Sequence, residues 1–168
     1  MNISHRGNRI LALYPTTRGI GFVLMQSPLA PIDWGTRDTR GKHKNAICLK
    51  KISVLIDTHQ PDTIVMEDPT AEGSVRTDRI KRLCRSIASL ANSQSIDVHA
   101  YSRVRVQEFF EPFGAKTRHE IAVAIASQMT ALERFLPPRR KPWKIEDPKM
   151  SIFNAAALGM TYFGMIEA

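Results

Sequence analysis

Apolar positions along this chain come in two rhythms, short unbroken blocks and helical stripes. Ile10, Ala12 and Leu13 form one block, and Ile20, Phe22, Val23 and Leu24 form the next. Two strands of a hairpin are predicted, with Pro15 and the Gly19/Gly21 pair marking the turn. From Leu29 to Thr39, Ile32, Trp34 and Thr36 alternate with Asp33 and Arg37, which suits a third strand. Residues 45–60 then place Ile47, Leu49, Ile52, Leu55 and Ile56 at helical spacing. Thr63 to Met66 is a short, solidly apolar strand of the kind covered on both faces, and two acids, Glu67 and Asp68, follow it.

Beyond that strand the helical rhythm dominates. Ile80, Leu83, Ile87 and Leu90 share one stripe of a second amphipathic helix within residues 74–94. Residues 95–102 read as a further strand, and residues 105–114 as a brief helix stopped at Pro112 and Gly114. A third long helix is predicted over residues 117–135, opened by a Thr117/Glu120 capping box. Residues 136–148 form a loop stiffened by prolines. The closing helix has Asp147 as its cap and Pro148 at its first position. Three sequential strands followed by alternating strands and helices imply an antiparallel meander joined to a parallel portion. The expected fold is therefore α/β, one mixed sheet with helices on both faces, in a single domain over residues 1–168.

Composition narrows the class. The 43% hydrophobic and 24% charged fractions are those of a soluble globular protein. No apolar run approaches the roughly 20 residues that span a bilayer. The opening "MNISHRGNR" carries no apolar segment of a signal peptide, so the expected location is cytoplasmic, without a membrane partner. Cys48 and Cys84 fall on different predicted helices with no cysteine or histidine cluster nearby; they read as core residues, not as a disulfide or a zinc site.

Charge changes the picture most. The formal net charge of +8 points to a polyanionic partner, nucleic acid above all, with bare solubility as the alternative. Three basic runs carry the surplus. Arg37, Arg40, Lys42 and Lys44 follow the third strand; Arg76, Arg79, Lys81, Arg82 and Arg85 follow Glu67; Arg139, Arg140, Lys141 and Lys144 precede the last helix. Any single run reads equally as a solvated face, but three near one predicted edge suit phosphate contacts. Trp143, within the last run, reads either as a stacking surface for a base or as a packing anchor for its loop.

The order of elements, with "ILALYPTTRGIGFVLM", "IDWGTR", "TIVMED", "YSRVRVQEFF", "FGAKTRHEIAVAI" and the terminal "MSIFNAAALGM", resembles the ribonuclease H-like fold and, more narrowly, the RuvC-type Holliday-junction resolvases. The resemblance covers nearly the whole chain and rests on the order and spacing of short motifs. It implies branched or structured DNA as partner, a homodimer matching the two-fold symmetry of a junction, and magnesium held by carboxylates. "YPTTRG" is also faintly similar to the phosphate loop of actin-like sugar kinases. Those proteins close two such domains around ATP, and this chain has length for one.

Position by position, the implied metal site is mostly uncharged. Where the resemblance places an aspartate at the end of the first strand stands Tyr14, a phenol with a pKa near about 10, neutral at pH 7 and a poor magnesium ligand. It reads as a packed strand end that donates its hydroxyl to a neighbour. Glu67 keeps the acid of the fourth strand, or is a solvated strand end beside Asp68. The two aspartates implied on the last helix fall on Ser151 and Asn154. Asp147 shares their helical face and is a substitute ligand or, with Pro148 following it, simply the cap. The resulting expectation is a nucleic-acid-binding RuvC-like protein whose catalytic site has decayed. The alternatives are a divergent magnesium-dependent endonuclease, using Glu67 with Asp147 or Asp68, and a protein-interaction scaffold.

Overall fold

The computed structural model describes residues 8–167, so most of the stretch in which a leader segment was sought lies outside the described residues. Five strands form one sheet: β1 (Ile10–Pro15), β2 (Gly19–Ser27), β3 (Ala30–Asp38), β4 (Thr63–Glu67) and β5 (Asp97–Tyr101), in the order β3-β2-β1-β4-β5. β1 and β2 pair antiparallel, as do β2 and β3, while β4 runs parallel to β1 and β5 parallel to β4. This is the mixed sheet that the element order predicts.

The unbroken apolar blocks have a simple cause: β1, β2 and β4 are covered on both faces. Leu11, Leu13, Phe22, Leu24, Ile64 and Met66 face α1 (Lys44–His59) and α2 (Asp78–Ser93). Ile10, Ala12, Tyr14, Val23, Met25 and Val65 face α3 (Arg103–Phe110), α4 (Arg118–Gln128) and α5 (Met150–Glu167). Strand residues alternate between faces, so Tyr14 and Glu67 both project toward α5. Leu13 pairs with Met66 in the β1/β4 register and Glu67 pairs with Tyr101. The C-terminal ends of the three parallel strands therefore lie in one row.

Three helices begin on the side-chain caps that their sequences supply. Thr77 accepts from the Ile80 amide, Ser102 from Arg105 and Thr117 from Glu120. Cys48 and Cys84 are free and buried on α1 and α2. None of the helices among the described residues is long and apolar enough to cross a membrane.

Three helices differ from the sequence reading. The brief helix begins at Arg103, two residues early behind the Ser102 cap, and turns 3-10 from Glu111 to Phe113. The third long helix does not run to residue 135. It ends at Gln128, Met129 turns to φ −106° and ψ 83°, and a 3-10 segment continues from Thr130 to Phe135. Met129 and Leu132 are both buried there, so the tighter turn returns the chain to the core with no Gly or Pro at the break. The last helix starts at Met150, not at Pro148. Its entry is tightened: the Met150 amide donates to Asp147 and that of Ser151 to Pro148.

Candidate nucleic-acid interface and the cleft at the sheet edge

At the C-terminal edge of the sheet a cavity of about 50 Å³ opens, room for a few waters. Tyr14 and Glu67 line its floor; Arg103, Val106 and Gln107 come from α3, Arg118 and Ile121 from α4, and Asn154, Ala157 and Leu158 from α5. Three of the four positions that the resemblance marks, Tyr14, Glu67 and Asn154, thus meet in one cleft.

The fourth does not open onto it. Ser151 is buried, and its hydroxyl donates to the Pro148 carbonyl at 2.6 Å. β2 approaches it so closely that a Cβ built on Gly21 would lie 2.3 Å from Ser151 Oγ and 2.4 Å from its carbonyl carbon. Ser151 fixes how α5 meets the sheet.

Arg103 and Arg118 line the cleft, and a third arginine braces its strand ends. Arg76, in the loop between β4 and α2, folds back over the sheet edge: its Nη1 donates to the Tyr14 phenol oxygen at 3.1 Å and its Nη2 to the Pro15 carbonyl. The guanidinium carbon sits 4.8 Å from the Tyr14 ring centroid. Its Nε lies 3.9 Å from Glu67 Oε2, with the two side chains only 15% and 12% exposed. Tyr14 was expected to donate its hydroxyl to a neighbour; instead it accepts from Arg76. Burial raises the Tyr14 pKa above its ordinary value, against the lowering pull of Arg118 and Arg76, so the phenol is neutral.

Two polar atoms of the cleft are left over. Glu67 Oε2 and Asn154 Nδ2 are buried without a hydrogen-bond partner among the described residues. One wants a donor and the other an acceptor, and the cavity is large enough to admit a water.

These groups do not fit a divalent metal. Glu67 is the one carboxylate among the residues lining the cavity, and a guanidinium already stands against it. A neutral phenol and an amide supply too little charge to displace the water of a hard cation. No group of three or more His, Cys, Asp or Glu side chains that could hold a metal occurs among the described residues. The two substitute ligands are engaged elsewhere: Asp68 Oδ1 accepts from the Thr70 amide at 2.9 Å and hydroxyl at 2.7 Å, and Asp147 Oδ1 accepts from the Lys149 amide at 2.9 Å.

Two of the basic runs reach the turn between β1 and β2, through Lys44 in the first and Arg76 and Arg79 in the second, and not all of their members are free. Arg79 is tied to Asn45 Oδ1 at 3.0 Å and to the Thr16 carbonyl at 3.3 Å, and Arg76 is tied as above. Lys81 is half-buried; Arg82, Arg85, Lys42, Arg139, Arg140 and Lys141 are exposed. Arg37 lies over the Phe22 ring, with its remaining surface in solvent. Arg40 lines a groove of about 610 Å³ with Thr17, Arg18, Lys44 and Pro148, which joins the first run to the entry of α5. Lys44 is held across that groove by donating to the Thr17 carbonyl at 2.9 Å.

Sequence reasoning missed Arg18, Arg103 and Arg118. Arg103 follows β5 almost directly, and Arg118 is the first residue of α4 behind its Thr117 cap. For Arg18 and Arg103 the signal is placement, since each leaves a parallel strand at its C-terminal end; no such signal marks Arg118. Arg118 is further tied to Glu146, 3.9 Å away at the end of the proline-rich loop.

No protein-family profile matches the chain, and no curated protein matches it by sequence. Solved structures do. The chain is similar to Thermus thermophilus RuvC at 11% identity over 95% of this chain and 96% of that one, with a TM-score of 0.66. Thermus thermophilus RuvC in complex with Holliday junction substrate matches at 12% identity, with 95% of each chain covered and a TM-score of 0.66. The yeast mitochondrial Holliday junction resolvase Ydc2 matches at 13% identity over 96% of this chain and 81% of that one, with a TM-score of 0.61. The fold is the RuvC-like form of the ribonuclease H fold.

Proposed function

We propose that this chain binds branched or otherwise structured DNA and holds it without metal-dependent cleavage. The observation that carries this reading is Arg76, which spans Tyr14 and Glu67 at the strand ends. A fixed guanidinium there supplies the positive charge next to the one remaining carboxylate, but it cannot activate a water as a metal does. Binding is supported separately by the +8 charge and by the exposed cations around the β1–β2 turn. It also agrees with the fold shared with a RuvC that is described in complex with Holliday junction substrate.

Phosphate contacts position a nucleic acid without reading its bases, so the selectivity of this reading is for shape. A two-fold homodimer would present two such edges to a four-way junction, and sedimentation with and without DNA tests that part. Labelled four-way junction, fork, duplex and single-strand DNA, with magnesium or manganese, test the rest. Shifted bands that prefer the junction, with no cut product, are the expected result. Metal-dependent cleavage lost in Glu67→Gln would establish an endonuclease instead, and absence of any shift at low salt would leave a protein-interaction scaffold.

A further inference from the structure

Residues 136–148 leave α4's 3-10 extension and return at the entry of α5. The segment is pinned at both ends. Pro137 is buried and Phe135 and Leu136 pack on the core, while at the far side Glu146 reaches Arg118 beside the cleft. Between the pins the chain is held in a fixed turn: the Lys144 amide donates to the Lys141 carbonyl at 3.0 Å, and Arg140 Nη1 donates to the Lys144 carbonyl at 3.1 Å. Pro137, Pro138 and Pro142 restrict the backbone further.

What this turn presents is unusual for a soluble surface. Trp143 is 77% exposed and Ile145 is 74% exposed. Trp143 is no packing anchor; its ring contact is with Lys141, whose Nζ sits 5.6 Å from the ring centroid. Arg139, Arg140, Lys141 and Lys144 flank it in the sequence, all exposed. The acids that follow are spent, Glu146 on Arg118 and Asp147 on the Lys149 amide.

We infer that this loop is a stacking finger: Trp143 lays its ring on an unpaired or helix-end base while the four cations flanking it hold the adjoining phosphates. The inference rests on the nucleic-acid reading above and specifies where bases are touched. Charge complementarity selects the partner, since an aromatic face flanked by cations matches a base set between phosphates. The preformed turn keeps the ordering cost of binding low. A base inside a continuous duplex has no free face, so the finger discriminates for branch points, ends and single strands. The side chain that the sequence left open between stacking surface and anchor is thereby assigned to stacking.

The test uses the whole protein with a four-way junction carrying 2-aminopurine at a base beside the branch, a uniform duplex, and anionic phosphatidylserine vesicles. Wild type should quench Trp emission on the junction and change the 2-aminopurine signal. Trp143→Ala should weaken junction binding roughly 5- to 100-fold with a much smaller effect on duplex, whereas Trp143→Phe stays within roughly threefold. Because Trp143 is exposed, both variants should melt with wild type. Junction binding by wild type that Trp143→Ala leaves unchanged would overturn the finger and leave the DNA-binding reading standing. No junction binding by wild type at low salt would remove both. Quenching by vesicles without any by DNA would overturn the finger in favour of a membrane-surface loop.

Discussion

Arg76 sits over the Tyr14 ring, 4.8 Å from its centroid, and donates to the phenol oxygen at 3.1 Å. The two residues come from different elements, the end of β1 and the loop after β4, so one side chain staples the strand ends together. A lysine has no planar fork to stack and donate at once. The guanidinium also faces Glu67, the one carboxylate of a cavity whose lining already carries Arg103 and Arg118.

Removing that cation is the first prediction. Arg76→Ala leaves Glu67 charged in a largely buried place and frees the Pro15 carbonyl, so it should cost about 3 kcal/mol of unfolding free energy. Arg76→Lys should recover little of it. Glu67→Gln keeps the shape and removes the charge, and should cost about 1 kcal/mol or less. Urea denaturation of the three variants checks the ranking; equal losses in Glu67→Gln and Arg76→Ala would show that the ion pair, not the stack on Tyr14, holds the loop.

The same geometry predicts what is needed to build a metal site here. Tyr14→Asp with Asn154→Asp adds two carboxylates to a cavity that already holds Glu67. With Arg76 in place, manganese should not raise the melting temperature of that variant. With Arg76→Ala added, it should, by mass action on the folded state. Ser151→Asp is not a useful addition, because Ser151 is locked between Gly21 and the Pro148 carbonyl. Thermal shift with and without manganese decides the matter.

The strands were legible because β1, β2 and β4 are apolar on both faces, and the start of α4 because Thr117 is a cap residue. Glu67, Tyr14 and Asn154 were marked by the family resemblance, position by position, and all three line the one cavity. What sequence could not supply was the direction of long side chains. Arg76 and Arg82 sit in one basic run, yet one turns inward to Tyr14 and the other faces solvent. The break at Met129 was equally hidden, since burial of Leu132 decides it and no turn residue marks it.

Close approach at two glycines gives a paired prediction. Gly21→Ala drives a Cβ into Ser151, including its backbone carbonyl carbon at 2.4 Å, so β2 or α5 must move. A loss of about 2–3 kcal/mol is expected. Gly159→Ala meets the Met25 sulfur at 2.5 Å, the far end of a flexible side chain that can swing aside. Its loss should be under about 1.5 kcal/mol. Denaturation midpoints that reversed this order would place the tight contact elsewhere.

If the exposed cations contact phosphates, affinity for DNA should fall linearly on a log–log plot against salt. Arg40→Ala and Arg82→Ala should each weaken binding across all sequences and lower the slope by about 1. Arg79→Ala should behave differently, because its guanidinium is tied to Asn45 and the Thr16 carbonyl. Its cost should appear in stability as well as in binding. Titrations at several salt concentrations separate the two kinds of arginine.

The buried thiols predict an alkaline limit to stability. Burial pushes Cys48 and Cys84 from 9.0 up to about 11 each, at 1% and 5% exposure. The unfolded chain therefore releases both protons near pH 9 while the native chain keeps them. Between these pKa values the unfolded state binds fewer protons, so stability must fall as pH rises from about 9 to about 11. A shift from 9.0 to about 11 corresponds to about 2–3 kcal/mol for each thiol, fully present below pH 9 and lost above pH 11. Tyr14, also raised by burial, adds a loss of the same sign at higher pH. Cys48→Ala with Cys84→Ala should lower stability at neutral pH by removing buried volume, yet flatten the alkaline decline. Urea denaturation at about pH 8 and about pH 10.5 reads both effects, and an alkaline decline unchanged in the double variant would assign the lost protons to other groups.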